Sequence, residues 1–284
     1  MLKTQYIIVG VSLLLAIGLF LLPKSVVSNK NKAIEKSGQV QSTESDSVAE
    51  PALVESHQAK LSDEQAKQLN ILRTNFSKNT SEKGKSTLLD SMAFIYRSAN
   101  LIDSVAFYSE LLANQFPTPR NFLATADAYY DVFSFAMSEQ KVKYAAQKSR
   151  SFYEKILAQD PENADVKVKL GVTYTITATP MQGIKMIREV LEKEPENQLA
   201  IFNLGLLSMQ SGQYEKAVER FEKLLKINPK DINSCLLLAQ SLVNLGKTEE
   251  AVVSLEKFKK TLTNSPLDAE MKQRIDTYLQ DLRK

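Results

Sequence analysis

The sequence predicts an all-α fold: an α-solenoid of antiparallel helix pairs, preceded by a single transmembrane helix and a disordered linker. Three observations carry this expectation. Prolines recur at 161, 195 and 229, two equal steps of 34 residues. The chain is rich in Ala, Leu, Glu and Lys, with only 9 Gly among 284 residues, and no strand-like alternation competes with the helical pattern. No residue from Thr4 to Pro23 is charged.

The amino-terminal stretch comes first. Ile7–Leu22 is almost wholly apolar. A helix of roughly 20 residues crosses the hydrocarbon and leaves no amide unpaired there. We therefore expect an uncleaved anchor over residues 5–23. A cleaved signal peptide is the rival reading. Its apolar region would usually run ~7–15 residues. Here Pro23-Lys24 follows the run, and Val26-Val27-Ser28 is a poor cleavage site. Orientation stays open. Lys24, Lys30, Lys32 and Lys36 after the run outnumber Lys3 before it, which favours a cytoplasmic carboxyl-terminal side. A short amino-terminal tail and a large following domain favour export. The expected location is a bacterial inner membrane, single-pass, with the repeat domain in the periplasm.

Residues 24–60 read as a linker. Aromatics are absent, and five Lys balance five acids. Such a segment buries too little apolar area to offset its ordering entropy. The single His, His57, lies here with no neighbours to tune it, so we read it as solvated.

The repeat follows. Ala164–Asn197, Gln198–Asp231 and Ile232–Ser265 align without gaps. They carry Leu170-Gly171, Leu204-Gly205 and Leu238-Ala239 on the first helix, then Gly183, Ala217 and Ala251 on the second. Tyr174, Phe221 and Leu255 add apolar positions, and the prolines stop the second helices. This pattern resembles the tetratricopeptide repeat (TPR), a 34-residue helix–turn–helix unit. Small residues let the two helices approach closely. Gly183 stands where later units have Ala, at an expected helix penalty of about 1 kcal/mol. Gly212 and Gly246 fall at the turns, where positive φ is easy for glycine.

Upstream the pattern decays. Phe122–Tyr130 and Tyr153–Pro161 read as one degenerate unit with an insertion around Ser134–Ala146, and Thr87–Ser98 with Leu101–Phe116 as another. The expected organisation is an amino-terminal capping helix at 61–84, degenerate units at 85–163, three clear units at 164–265 and a carboxyl-terminal cap at 266–284. Ser62 and Gln65 have capping-box spacing.

The chemistry is sparse. Lys plus Arg is 36 and Asp plus Glu is 33, a balance of +3 that does not favour a polyanion. One Cys and one His argue against disulfide frameworks, Cys- or His-based metal sites and a His-dependent triad. Gly84-Lys85-Ser86 lacks the earlier glycine and strand of a phosphate-binding loop. Cys235 reads as a small core residue. The sequons at Asn75 and Asn79 carry meaning only in a eukaryotic secretory pathway. Glu189, Glu192, Glu194 and Glu196 are mixed with Lys and Arg and read as a solvated face. We expect no enzyme activity, no cofactor, no metal and no nucleic acid.

What remains is a binding surface. In stacked helix pairs the first helices line the concave side. At 100° per residue, unit positions 2, 6, 9 and 13 point away from the stack. These are Asp165, Lys169, Val172 and Ile176; Leu199, Asn203, Leu206 and Gln210; and Asn233, Leu237, Gln240 and Asn244. Aliphatics flanked by amides suit a protein or peptide partner. With Lys169 as the sole base, a clamp for a terminal carboxylate is doubtful. The alternative is an assembly subunit of an envelope complex whose groove is permanently covered; the chain's own last helix or another copy could cover it, and homo- and hetero-oligomers both stay open.

Overall fold

The computed structural model describes residues 60–176, 179–263 and 265–283. The expected anchor, and the linker up to residue 59, lie outside the described residues. Among the described residues there are twelve α-helices and no strand, and no helix is long and apolar enough to cross a membrane. All belong to one compact unit, Val48–Lys284.

Helix α1 (Asp63–Lys78) precedes five pairs. These are α2 (Glu82–Ser98) with α3 (Ile102–Gln115), α4 (Pro119–Phe135) with α5 (Glu139–Leu157), and α6 (Ala164–Thr175) with α7 (Pro180–Lys193). Then come α8 (Gln198–Gln210) with α9 (Tyr214–Ile227), and α10 (Ile232–Asn244) with α11 (Thr248–Thr261). Helix α12 (Pro266–Leu282) ends the stack. Each helix packs on the next, and α6 also touches α8, the next first helix.

The helix ends explain the period. Asn163, Asn197, Asp231 and Ser265, each 34 residues apart, cap α6, α8, α10 and α12 by accepting from backbone amides inside the first turn. Ser81 and Thr118 do the same for α2 and α4. Ser62 and Gln65 form the reciprocal capping box of α1. Most second helices lack a side-chain cap and start from a tight turn. Asn100, Gly212 and Gly246 take φ of 55°, 71° and 75° there. In each case the following amide bonds five residues back, to Tyr96, Ser208 or Leu242, at 2.8–2.9 Å.

Within each pair, small residues let the backbones meet. A Cβ on Gly205 would lie 2.8 Å from the Phe221 ring. Ala239 and Ala251 are fully buried at the equivalent crossing. In the first clear unit the approach is closest: a Cβ on Gly183 would come within 2.2 Å of the Gly171 carbonyl oxygen. Helix propensity alone favours alanine at 183, yet backbone occupies the space.

The α4–α5 unit shows what the insertion does. Ser149 lies 34 residues before Gly183 and its hydroxyl donates to the Ala126 carbonyl at 2.9 Å, so it holds the same crossing. Ala126 lies 45 residues before Gly171 rather than 34. The eleven extra residues lengthen both helices, to 17 and 19 residues against 13 and 14 in α8 and α9. The turn they extend carries Phe135 and Met137, both exposed. Lys141, buried near it, pairs with Asp103 at 2.8 Å.

Both ends of the stack are closed. Leu69 of α1 is buried, with Leu72 and Phe76 half-buried beside it. On α12, Ile275 and Leu279 are buried while Ala269, Glu270, Gln273, Arg274 and Gln280 face solvent, the polar outer face a terminal helix needs. Asp268 ties α12 to the preceding turn: the Thr263 hydroxyl and amide donate to its carboxylate and hold it below the usual range.

The crossing geometry gives a test. Gly183→Ala is expected to destabilise the fold by about 1–3 kcal/mol through overpacking, against the helix-propensity gain. Chemical denaturation of the variant measures it, and a more stable variant would show that the crossing relaxes freely.

Candidate functional site

The first helices present one face across the stack. Its floor is the packed interior: Leu170, Leu204, Leu238 and their neighbours are buried beneath it. The expected binding residues divide into three groups on this face. Asp165, Ile176, Gln210, Asn233, Gln240 and Asn244 are exposed, Ile176 at 49%. Lys169, Val172, Leu199, Leu206 and Leu237 are half-buried, and the aliphatics rest on the core clusters below. Asn203 is buried and its amide donates to the Leu199 carbonyl at 2.8 Å, one turn back on its own helix. The expectation that its side chain points away from the stack gives way to this bond, which draws the amide down onto α8.

Two of these residues have partners within the chain. Lys169 donates to Asp127 Oδ1 at 2.8 Å, bridging α6 to α4. Gln240 accepts from the Tyr278 hydroxyl at 3.0 Å, so α12 reaches the α10 edge of the face. The last helix therefore meets this face at Gln240, stacked as the next helix in line.

The structure extends the face upstream, where sequence reasoning assigned no site residues. Phe94 on α2 is 70% exposed. Arg97 lies one turn beyond it, and Asp127 and Asp131 stand on α4. The buried Tyr153 sends its hydroxyl through to Asp127 at 2.6 Å, and burial together with that carboxylate pushes the phenol well above its ordinary value. Neighbouring atoms that displace water, and then the Asp127 charge, hold the Asp131 carboxyl above its usual range, while Arg97 and Lys169 pull it back. The upstream face thus carries two adjacent acids flanked by bases, whereas the downstream face is amides and aliphatics. Counting 45 rather than 34 residues back from Gly171 would have located it.

The remaining sequence candidates carry no site. Gly84-Lys85-Ser86 forms the first turns of α2, with the Gly84 amide bonded to the Ser81 cap. Cys235 is fully buried in α10, and burial, aided by Asp231, pushes its thiol up to about 12. Among the described residues no group of three His, Cys, Asp or Glu side chains is placed to hold a metal.

Comparison with known proteins agrees with the fold. A family model described as anaphase-promoting complex, cyclosome, subunit 3 matches residues 183–258, from α7 through most of α11. No curated protein matches. A solved tetratricopeptide repeat protein from Parabacteroides merdae is 15% identical, covering 77% of this chain and 82% of its own, with a TM-score of 0.55. A thermophilic TPR protein from Thermus thermophilus is 15% identical over 63% of this chain and 99% of its own, with a TM-score of 0.47. MamA from Desulfovibrio magneticus is 15% identical over 62% and 93%, with a TM-score of 0.46. The Parabacteroides likeness shows the architecture, and the chain is a TPR-like repeat protein in fold. Function does not follow from a repeat fold alone.

Because the thiolate is the reactive form of cysteine, Cys235 should resist a thiol reagent in the native protein at about pH 8 and react fully on unfolding. Rapid native labelling would contradict its burial.

Proposed function

We propose that this chain is a membrane-tethered, non-enzymatic adaptor whose first-helix face between Lys169 and Asn244 holds a protein or peptide partner. The observation that supports this reading is the make-up of that face. Val172, Leu199, Leu206 and Leu237 offer half-covered aliphatic surface. Gln210, Gln240 and Asn244 stand among them, and each amide has more donors and acceptors than one hydrogen bond uses. An extended polypeptide needs both: side chains to bury, and backbone amides and carbonyls to satisfy.

The tether is read from sequence. An uncharged stretch of about one bilayer thickness, followed by a polar linker, would confine the face near the membrane and raise its effective concentration towards a partner held there. We place the repeat domain in the periplasm, since a large domain after the stretch can cross despite flanking charge.

The test is capture by the full chain from extracts, with bound proteins identified by mass spectrometry. Leu206→Ala combined with Gln240→Ala should reduce capture of the partner at least about tenfold, since truncating contacts at the centre of an interface costs above 1 kcal/mol each. Circular dichroism should show the helical signal kept. Undiminished capture by the double variant would refute the assignment. A face covered in every preparation by the same tightly bound protein would favour the assembly-subunit reading.

A further inference from the structure

A second surface lies on the opposite side of the stack, between the second helices α9 and α11. They flank a groove of about 890 Å³ floored by Leu225, Leu238, Leu242 and Phe258. On the α11 wall Val253 is 66% exposed. Its equivalents one and two repeats earlier are Glu219 and Lys185, both exposed and charged. An aliphatic residue has therefore replaced a solvated charge at one outward position of one repeat.

The charges around Val253 are ordered. Glu249 stands four residues before it and Lys257 four residues after, all three lining the groove. On the α9 wall the same order runs from Glu215 to Lys226. Glu215, Glu249 and Glu250 thus sit at one mouth, with Lys247 beside them, and Lys226 and Lys257 at the other, with Glu222 between the two on the α9 wall. The earlier second helix α7 has no acid in its first turn and carries Glu189 where α11 has Lys257. Lys247 pairs with Glu250 at 3.3 Å. Among the described residues neither Glu249 nor Lys257 has an ion-pair partner in its own chain.

A surface that is acidic at one end, basic at the other and apolar between is complementary to itself when turned end for end. That operation is a two-fold axis, the commonest symmetry of homo-oligomers. We propose that the α9–α11 face binds a second copy of this chain, with the two α11 helices antiparallel and crossing at Val253. Glu249 of each copy then meets Lys257 of the other. The eight-residue step from one to the other spans about 12 Å at 1.5 Å per residue, and helices packed 8–10 Å apart bring such side chains together. The two Val253 side chains meet at the axis, between the apolar grooves of the two copies. The face is short, so pairing is weak and depends on concentration.

The test uses the full chain with Val253→Cys under mild oxidation, read on a non-reducing gel. Cys235 is buried and does not compete. A disulfide-linked dimer is expected, while Leu267→Cys, at a residue 62% exposed on α12, should give little. In the Val253→Cys background, Glu249→Lys or Lys257→Glu alone should each cut the dimer yield about tenfold by setting like charges opposite. The two reversals together should restore it, because the exchange returns both pairs. Absence of the Val253→Cys dimer, equal cross-linking through Leu267→Cys, single reversals without effect, or a double variant no better than the singles would each overturn the proposal.

Discussion

The structure rests on how closely two helices can cross. At the centre of each clear pair a small residue faces a small residue or a ring: Gly171 with Gly183, Gly205 with Phe221, Ala239 with Ala251. Where the gap is narrowest, at Gly183, backbone carbonyl fills the place a Cβ would take. Interiors pack at crystal-like density, so this distance fixes what the next layer can hold. Ile187, Phe221 and Leu255 are fully buried around these crossings, and each unit buries its own outer face against the unit that follows.

A constraint that is local to one crossing explains why the repeats tolerate so much variation elsewhere. The α4–α5 unit accepts eleven extra residues because they are added beyond the crossing, away from Ala126 and Ser149. The crossing survives with a serine, whose hydroxyl finds the Ala126 carbonyl and so does not leave a buried donor unmet. The added length has a contact of its own, Lys141 with Asp103.

The two sides of the stack differ in chemistry for the same reason. Among the first helices α6 touches α8, and outward residues are held at short range: Lys169 with Asp127, Tyr278 with Gln240. Second helices α9 and α11 stand apart, with α10 packed against both, and leave a groove between them. A close-set face of amides and aliphatics suits an extended chain, and a groove with charged mouths suits a helix.

Much of this was readable without coordinates. The 34-residue step of the prolines marks a stacked repeat, and the small residues twelve positions apart resemble the helix-pair unit of the tetratricopeptide repeat. The turn glycines Gly212 and Gly246 follow from the positive φ a short helix-to-helix turn demands. Other features were settled only in three dimensions. Asn203 looks outward on a helical wheel, but a hydrogen bond to its own helix takes it down. Gly183 looks like a weak alanine until the Gly171 carbonyl is seen opposite it. The upstream row from Phe94 to Asp131 was hidden because an eleven-residue insertion breaks the count while leaving the stacking intact. Sequence period records which residues play equal parts. Which atoms occupy the space between them depends on distances across the stack, and those exist only once the helices have packed.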